Sequence, residues 1–397
     1  MKKIRLGDIC NIKSSKRIYQ SEYTDKGVPF YRGKEISELC RGDNPKVELY
    51  ISRERYNELE SKFGSPKKGD LFITSVGTIG NTWISDGREF YYKDGNITQI
   101  VDNDGINTKY LSYLFESDIL KRQYMKGSTG TAQVALTIEK LNNLVIPIGD
   151  LEIQQKIVNV LDKAQSLIDK RKAQIEALDE LVKSRFIEMF GNPVINSKGW
   201  EIKDLGILGY FKNGMNYNQS DSGFNIKFLG VGEFKYGNVI NSSNMLSTLE
   251  LQEEPNEEYL LKNGDIVFVR SNGSKELVGR SVLIRELEEK TTYSGFCIRY
   301  RNQCEELIPD FLIQLFSDEN FKKSFKKDSR GANINNLNQQ MLSSLKIIVP
   351  PIELQNQFAG FVKQADKLKF EMEKSLKELE DNFNSLMQKA FNGELFN

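Results

Sequence analysis

The feature that most limits the possible folds of this chain is an internal repeat. LEIQQ at residues 151–155 is matched 201 residues later by IELQN at residues 352–356, and Phe190 is matched by Phe391 at the same displacement. KGDL at residues 68–71 is matched by NGDI at residues 263–266, displaced by 195. The two halves therefore share one order of elements, and the period is too long for a solenoid. A duplicated unit, not one core, is expected for 397 residues.

Each half opens with short apolar runs that end at Gly, Asp or Ser, a pattern typical of strands. The predicted strands are Val28–Tyr31, Leu71–Thr74, Asn81–Ile84 and Phe90–Tyr92, with Ile226–Leu229, Ile266–Arg270, Arg280–Ile284 and Phe296–Tyr300 in the same places of the second half. Short helices are predicted at Lys109–Phe115 and Pro309–Phe316, and a further strand at Leu144–Pro147 and Leu345–Val349. The fold class is therefore α+β, with two similar domains.

Each half closes with a long helix. Residues 152–190 contain no proline or glycine, and residues 353–391 contain only Gly360. Apolar side chains recur in heptads over both segments, which is typical of helices packed along one another. The predicted packing residues are Leu161, Ile168, Ile175, Leu178 and Val182 in the first helix and Val362, Met372, Leu376, Leu379 and Phe383 in the second. The alternative is that each helix packs only on its own domain, although 39 residues span ~58 Å.

The two helices are expected to run antiparallel, because each domain joins the N-terminal end of its helix and the second domain follows the end of the first helix. A stretched linker at residues 191–204 would break this argument. The predicted organisation is a first domain at 1–148, a central helix at 149–192, a second domain at 193–349 and a C-terminal helix at 350–397. Two similar domains separated by antiparallel helices would be related by a pseudo-twofold axis.

Composition excludes several classes of enzyme. The chain has no histidine, which removes Ser-His and Cys-His nucleophile pairs and His-containing zinc sites. Its four cysteines form no Cys-x-x-Cys pair, so neither a disulfide framework nor a metal site is predicted. Residues 1–17 are basic but no apolar stretch follows them, and no run is long enough to cross a bilayer. We expect a cytoplasmic protein with no catalytic residues and no membrane partner.

Positive charge is concentrated locally although the net charge is zero. Lys121, Arg122 and Lys126 precede a small polar loop at 127–133, and four lysines between residues 322 and 327 precede a similar loop at 329–336, which itself contains Arg330. Lys and Arg suit phosphates, whereas Asn, Gln, Ser and Thr suit base edges. The loops keep their flanks but differ in their polar residues, so each half is predicted to read its own DNA sequence.

Two further surfaces are predicted from turns that follow strands, together with residues 32–34. The complete set of predicted DNA contacts is Arg32, Lys34, Thr74, Ser75, Thr78, Asn81, Lys126, Ser128, Thr129, Thr131 and Gln133 in the first half, and Arg270, Ser271, Asn272, Lys275, Arg280, Lys327, Arg330, Asn333 and Asn335 in the second. For any one of these residues, an exposed side chain without a DNA contact is an equal alternative. Two such surfaces on one rod predict an asymmetric site whose half-site centres lie roughly 10 base pairs apart.

The motifs resemble the specificity (S, HsdS) subunit of type I restriction–modification enzymes over essentially the whole chain. The similar segments are KIRLGDI at 3–9, GWEIKDLG at 199–206, VPPIELQ at 349–355 and SLMQKAFNGEL at 385–395, with Gly149-Asp150 where a Pro-containing pair is usual. The resemblance implies two target-recognition domains that bind double-stranded DNA, two methylation (M) subunits along the helices, and restriction (R) subunits. It also implies that S-adenosylmethionine, ATP and Mg belong to those partners, with no cofactor in this chain.

Two rival functions remain open at this point. A non-enzymatic scaffold whose domains bind protein would show no DNA sequence preference. An enzyme with an unrecognised carboxylate site would need a methyltransferase or nuclease motif, and neither an amino-methyltransferase motif nor a GxxxxGK[ST] phosphate loop occurs in the sequence.

Overall fold

The computed structural model describes residues 1–125, 135–217, 223–274, 276–327 and 336–396, with backbone only at 324–327. Internal contacts divide the chain into two compact units. Unit 1 consists of Met1–Lys172 and Lys374–Asn397, and unit 2 of Ala173–Glu373. Both units combine sheets and helices, so the predicted α+β class is confirmed. The four domain boundaries proposed from the sequence stay a prediction.

Unit 1 is built from small sheets and short helices. Its strands are β1 (Lys2–Arg5), β2 (Asn11–Lys13), β3 (Tyr23–Thr24), β4 (Val28–Tyr31), β5 (Tyr50–Ile51), β6 (Leu71–Thr74), β7 (Thr82–Ile84), β8 (Tyr91–Tyr92), β9 (Ile97–Val101) and β10 (Val145–Ile148). Its helices are α1 (Gly33–Cys40), α2 (Arg53–Phe63), α3 (Thr108–Glu116), α4 (Asp118–Met125), α5 (Ile138–Asn143) and the first part of α6 (Leu151–Phe190). The sheets have the orders β2-β9-β6-β7, β3-β5-β4-β8 and β1-β10.

Unit 2 repeats this plan. Its strands are β11 (Glu201–Asp204), β12 (Gly209–Asn213), β13 (Phe224–Leu229), β14 (Val239–Ile240), β15 (Ser247–Leu251), β16 (Ile266–Val269), β17 (Ser281–Ile284), β18 (Thr291–Tyr293), β19 (Cys297–Asn302) and β20 (Lys346–Val349). Its helices are the last part of α6, α7 (Leu205–Leu208), α8 (Pro309–Ser317), α9 (Glu319–Lys327), α10 (Gln339–Ser343) and the first part of α11 (Ile352–Asn392), whose last part belongs to unit 1. The sheets have the orders β12-β19-β16-β17-β14, β15-β13-β18 and β11-β20.

One predicted correspondence between the halves was wrong. The sequence analysis placed Phe90–Tyr92 opposite Phe296–Tyr300, but β9 is the equivalent of β19, since each is the antiparallel partner of the strand that follows the Gly-Asp turn. Strand β8 corresponds to β18, because β8 pairs in parallel with β4 and β18 pairs in parallel with β13. The error arose because β9 carries the polar residues Thr98 and Gln99, which are nevertheless buried.

Glycine and apolar spacing explain the long helices. Helix α6 runs without proline or glycine to Phe190, and Gly191 ends it at φ +76°, a backbone conformation that glycine adopts at little cost. Among the predicted packing residues, Leu161, Ile168, Val182, Val362 and Phe383 are buried. Ile175, Leu178, Met372, Leu376 and Leu379 are half-buried.

The helices pair in antiparallel sense inside each unit. In unit 2 the Lys369 ammonium lies 2.7 Å from the Asp179 carboxylate, while Phe186 packs edge-on against Phe358. In unit 1 Lys172 pairs with Glu380 at 3.0 Å. Each helix thus contacts the other, which contradicts the alternative that each helix packs only on its own domain.

The ends of the helices complete the two cores. In unit 2, Phe186 and Phe190 of α6 pack on Phe311 of α8 and Phe358 of α11, with ring centroids 4.8–5.6 Å apart. The residues 201 positions away share the core of unit 1, and they are Met387, Phe391, Tyr110 and Ile157. Unit 1 therefore draws its core from both the first and the last segments of the chain. Among the described residues, no helix is both long and apolar enough to span a membrane.

Candidate nucleic-acid interface

In unit 1, three chain segments meet where β6 ends. The Ser75 backbone N–H donates to the Asn96 carbonyl at 2.7 Å, and the Leu136 N–H donates to the Ser75 carbonyl at 2.9 Å. Across the hairpin, the Thr74 N–H donates to the Asn81 carbonyl at 3.0 Å. Leu136 is the second described residue after the polar loop. Leu136, the turn at 75–81 and the turn at Asn96 are thereby held together by backbone hydrogen bonds.

Unit 2 repeats these bonds at the end of β16. The Arg270 N–H donates to the Phe296 carbonyl at 2.8 Å, and the Leu337 N–H donates to the Arg270 carbonyl at 2.8 Å. The Val269 N–H donates to the Arg280 carbonyl at 2.8 Å. We call the arrangement in each unit the turn frame: Thr74, Ser75, Asn81, Asn96 and Leu136 in unit 1, and Val269, Arg270, Arg280, Phe296 and Leu337 in unit 2. The backbone is shared, whereas four of the five side chains differ in chemistry.

A buried aspartate precedes the central strand of each unit, at the end opposite to the turn frame. Asp70 accepts hydrogen bonds from the Lys67 N–H at 2.8 Å, the Asp102 N–H at 2.9 Å and the Gln99 amide at 2.5 Å. Asp265 instead accepts two bonds of 2.6 Å from the Arg301 guanidinium and one of 2.7 Å from the Lys262 N–H. Both carboxylates are at most 2% exposed. The aspartates of the two matched Gly-Asp pairs therefore have a structural role, since both accept hydrogen bonds inside their units.

Beside the turn frame of unit 1 lies an open concavity of about 520 Å³. It is lined by residues of α1, of the turn after β6 and of the turn before β9, including Arg32, Lys34, Thr78, Lys93 and Asn96. The structure therefore brings together residues that the sequence analysis predicted separately. It adds Lys93 and Asn96, because β9 and the turn before it were not predicted, and Arg41, which follows the unpredicted helix α1.

Arg32 and Lys34, the predicted cations of unit 1 that the structure describes, are paired with carboxylates. Glu48 accepts hydrogen bonds from the Lys34 ammonium and the Arg32 guanidinium, both at 2.8 Å, and Arg32 also bonds the buried Glu35 at 2.7 Å. The hydrogen bonds from Lys34 and Arg32 lower the pKa of Glu48 to about 2. A depressed carboxylate pKa means that this pairing is complete above the usual glutamate range and is lost only as the pH falls through about 2. At neutral pH much of the positive charge here is already neutralised.

The cations of unit 2 are arranged differently. Arg270 and Arg280 are half-buried, and over the described ranges neither forms an ion pair. Burial and the nearby positive charge of Arg280 lower the pKa of Lys322 in α9. The positive charges of Arg280 and Lys322 repel each other, and an anion bound between them would remove this repulsion and be attracted by both. This part of unit 2 suits a phosphate group.

The other predicted contacts divide into three groups. Thr74 and Ser75 are buried, and their hydroxyls bond to the Thr78 carbonyl and to Thr98, so they belong to the interior of the turn frame. Thr78 is exposed, and Asn81, Ser271 and Asn272 are half-buried, with the Asn81 amide donating to Ser37 at 3.1 Å. Outside the described residues lie Lys126, Ser128, Thr129, Thr131, Gln133, Lys275, Arg330, Asn333 and Asn335, while Lys327 is described only in its backbone.

Comparison with known proteins assigns both halves of the chain to one domain family. The family model described as the type I restriction modification DNA specificity domain matches residues 1–177 and again residues 197–381. The specificity subunit of the type I restriction enzyme StySPI from Salmonella potsdam is 25% identical over 311 residues, which cover 73% of this chain and 66% of that protein. A Haemophilus influenzae protein is 37% identical over 169 residues, 42% of this chain and 40% of its own. The chain thus spans less than two thirds of the length of either relative.

A solved structure extends the likeness to the whole fold. A chain from work on the complex assembly and conformational transition of the type I R-M system is 17% identical and has a TM-score of 0.61. The superposition covers 99% of this chain and 98% of that one. At this identity the likeness concerns the fold alone.

Proposed function

Because this chain belongs to the type I restriction–modification DNA specificity family, we propose that it is the non-catalytic subunit that selects the DNA site of such a complex. Each domain reads one half of an asymmetric bipartite sequence in double-stranded DNA, and the paired helices set the spacing between the halves. DNA recognition is the property of the family, whereas the division of labour between the two domains is our proposal.

The observation that carries this proposal is the turn frame. The same backbone hydrogen bonds hold it in both units, yet its surface residues differ: Asn81 is replaced by Arg280, and Asn96 by Phe296. A shared backbone with different side chains is what two readers of different sequences require, because base edges are distinguished by side-chain donors, acceptors and apolar groups.

The long helices carry exposed apolar side chains that their own pairing leaves uncovered. Leu167, Leu181, Ile187, Leu368 and Phe370 are each at least 41% exposed on α6 or α11. We propose that two methylation subunits bind along these helices and that restriction subunits join them. Adenine methylation and ATP-dependent cleavage, with S-adenosylmethionine, ATP and Mg, would then belong to those partners.

Methylome sequencing tests the proposal. The chain is co-expressed with its methylation subunit in a host that lacks other adenine methyltransferases, and the expected result is one two-part methylated motif with unlike halves. Exchange of residues 193–349 for those of a relative should change one half of the motif and leave the other. A motif that is continuous, or that changes in both halves, would contradict the division between domains. Absence of any motif, with the complex assembled, would favour the protein-binding scaffold.

Replacement of Glu48 with glutamine should strengthen DNA binding by the assembled complex. The change leaves Lys34 without its carboxylate partner, while Arg32 keeps Glu35, so the slope of log K against log salt should steepen by about 1. Fluorescence anisotropy at several salt concentrations measures this slope. The matched control is Glu58→Gln on α2, since Glu58 likewise pairs with an arginine and a lysine, but these two partners do not line the concavity. An equal response of both variants would argue against the concavity as a DNA contact.

A further inference from the structure

An exposed aromatic ring marks the turn frame of unit 2. Phe296 is 63% exposed at the turn between β18 and β19, although the sequence analysis had placed it inside a strand. The equivalent residue of unit 1 is Asn96, which lines the concavity beside Thr78. At one position of a shared backbone, one unit thus presents a polar amide and the other an apolar ring.

The backbone under Phe296 is fixed on all sides. The Phe296 N–H donates to the Ser294 hydroxyl at 3.2 Å, and the Phe296 carbonyl accepts from the Arg270 N–H at 2.8 Å. The flanking Gly295 N–H donates to the Met215 carbonyl at 2.8 Å, and the Cys297 N–H to the Ser294 carbonyl at 2.8 Å. A ring on so constrained a turn keeps only two side-chain torsions free, and ordering it on binding therefore costs little.

The surroundings of the ring are polar and cationic. Arg270 and Ser271 are bonded to the turn itself, and Ser271 forms an isolated bridge with Asn336, the first described residue after position 327. Over the described residues, the ring of Phe296 stacks on no other ring and packs in no apolar cluster. An apolar group held among cations at the proposed DNA surface points to an apolar feature of the DNA.

In the major groove the apolar feature of a base pair is the C5-methyl group of thymine, and the other groups at the base edges are hydrogen-bond donors or acceptors. We propose that Phe296 is a specificity-determining residue that packs on the methyl group of a thymine in the half-site read by unit 2. This inference rests on the proposed function. It also explains why the position differs from Asn96, whose amide suits a donor–acceptor pattern such as that of adenine.

Deoxyuridine substitution tests this contact without altering any hydrogen bond. Each thymine of the half-site assigned to unit 2 is replaced by deoxyuridine in turn, and the affinity of the assembled complex is measured. At one position the wild-type complex should lose about fourfold in affinity, the factor that corresponds to ~0.8 kcal/mol for one buried methyl group. The complex with Phe296→Ala should bind the thymine and deoxyuridine duplexes equally, whereas Phe296→Leu should keep part of the difference.

Asn96→Ala is the matched control, and with it the response to deoxyuridine in this half-site should be unchanged. Three outcomes would overturn the inference: a half-site without thymine on either strand, no position that responds to deoxyuridine, or a response that persists in Phe296→Ala. In the third case Phe296→Ala weakens both duplexes equally, and the ring would act as a wedge between bases or as a support for the turn. Failure of the wild-type complex to prefer its site at all would instead reject the proposed function.

Discussion

Replacement of Phe190 with alanine should destabilise unit 2 by about 3–5 kcal/mol, the usual cost of removing a buried phenyl ring. Phe190 is fully buried and touches the rings of Phe186, Phe311 and Phe358. Alanine leaves a cavity where α6, α8 and α11 meet, and the strands of unit 2 should then exchange their amide hydrogens faster. Hydrogen–deuterium exchange of β16 and β19, read by mass spectrometry, measures the loss.

The equivalent change near the other end of the chain should act on the other unit. Phe391 is 2% exposed and packs edge-on against Tyr110 in unit 1, at 5.3 Å between ring centroids. Phe391→Ala should therefore raise exchange in α3 and β6 while β16 stays protected. Protection lost in the same unit by both variants would contradict the assignment of each helix end to a different core.

Replacement of Asp265 with alanine should destabilise unit 2 by about 3–5 kcal/mol, because it leaves a half-buried cation without its partner. Asp265 is fully buried, and its hydrogen bonds raise the pKa of Arg301. The variant also leaves the Lys262 N–H without its acceptor. The expected result is early unfolding of unit 2 in urea, followed by the fluorescence of Trp200, which packs against the core of that unit.

Asp70→Ala provides the comparison for Asp265. Its partners are an amide side chain and two backbone N–H groups, so no buried charge is left behind and the cost should be about 1–3 kcal/mol in unit 1. Equal losses in the two variants would show that the lost hydrogen bonds, and not the stranded guanidinium, determine the cost.

The repeat made much of the fold predictable. Strands β4 and β6 and the beginning of α8 lie where the sequence analysis predicted them. Helix α6 begins one residue earlier than predicted, and α11 is one residue longer than predicted at each end. These segments combine a clear apolar period with strong stops such as Gly191, so local sequence decides them. The antiparallel pairing followed from the order of elements alone.

Other elements depend on tertiary packing. Helix α2 has few apolar residues, and only Tyr56 and Leu59 are buried, so its sequence alone resembles a polar loop. Helix α1 begins at Gly33, in a segment that had been assigned to DNA contact because of its charge, and Glu48, fifteen residues away, determines how much of that charge is free. Pairing between distant charges cannot be read from spacing. The exposure of Phe296 was not predicted either, because a phenylalanine directly before an alternating apolar run resembles the first residue of a strand.

The way that unit 1 gathers its core from both ends of the chain also sets the order in which the protein can mature on the ribosome. Residues 173–373 form unit 2 by themselves, and they emerge before the segment from 374 onward that completes unit 1. At ~5–20 residues per second, roughly 10–40 s separate the synthesis of the two parts of unit 1. During that interval the side chains of Leu161 and Ile168 lack Phe383 and Phe391, with which they share the core of the folded unit. The half translated first is therefore the half that finishes folding last.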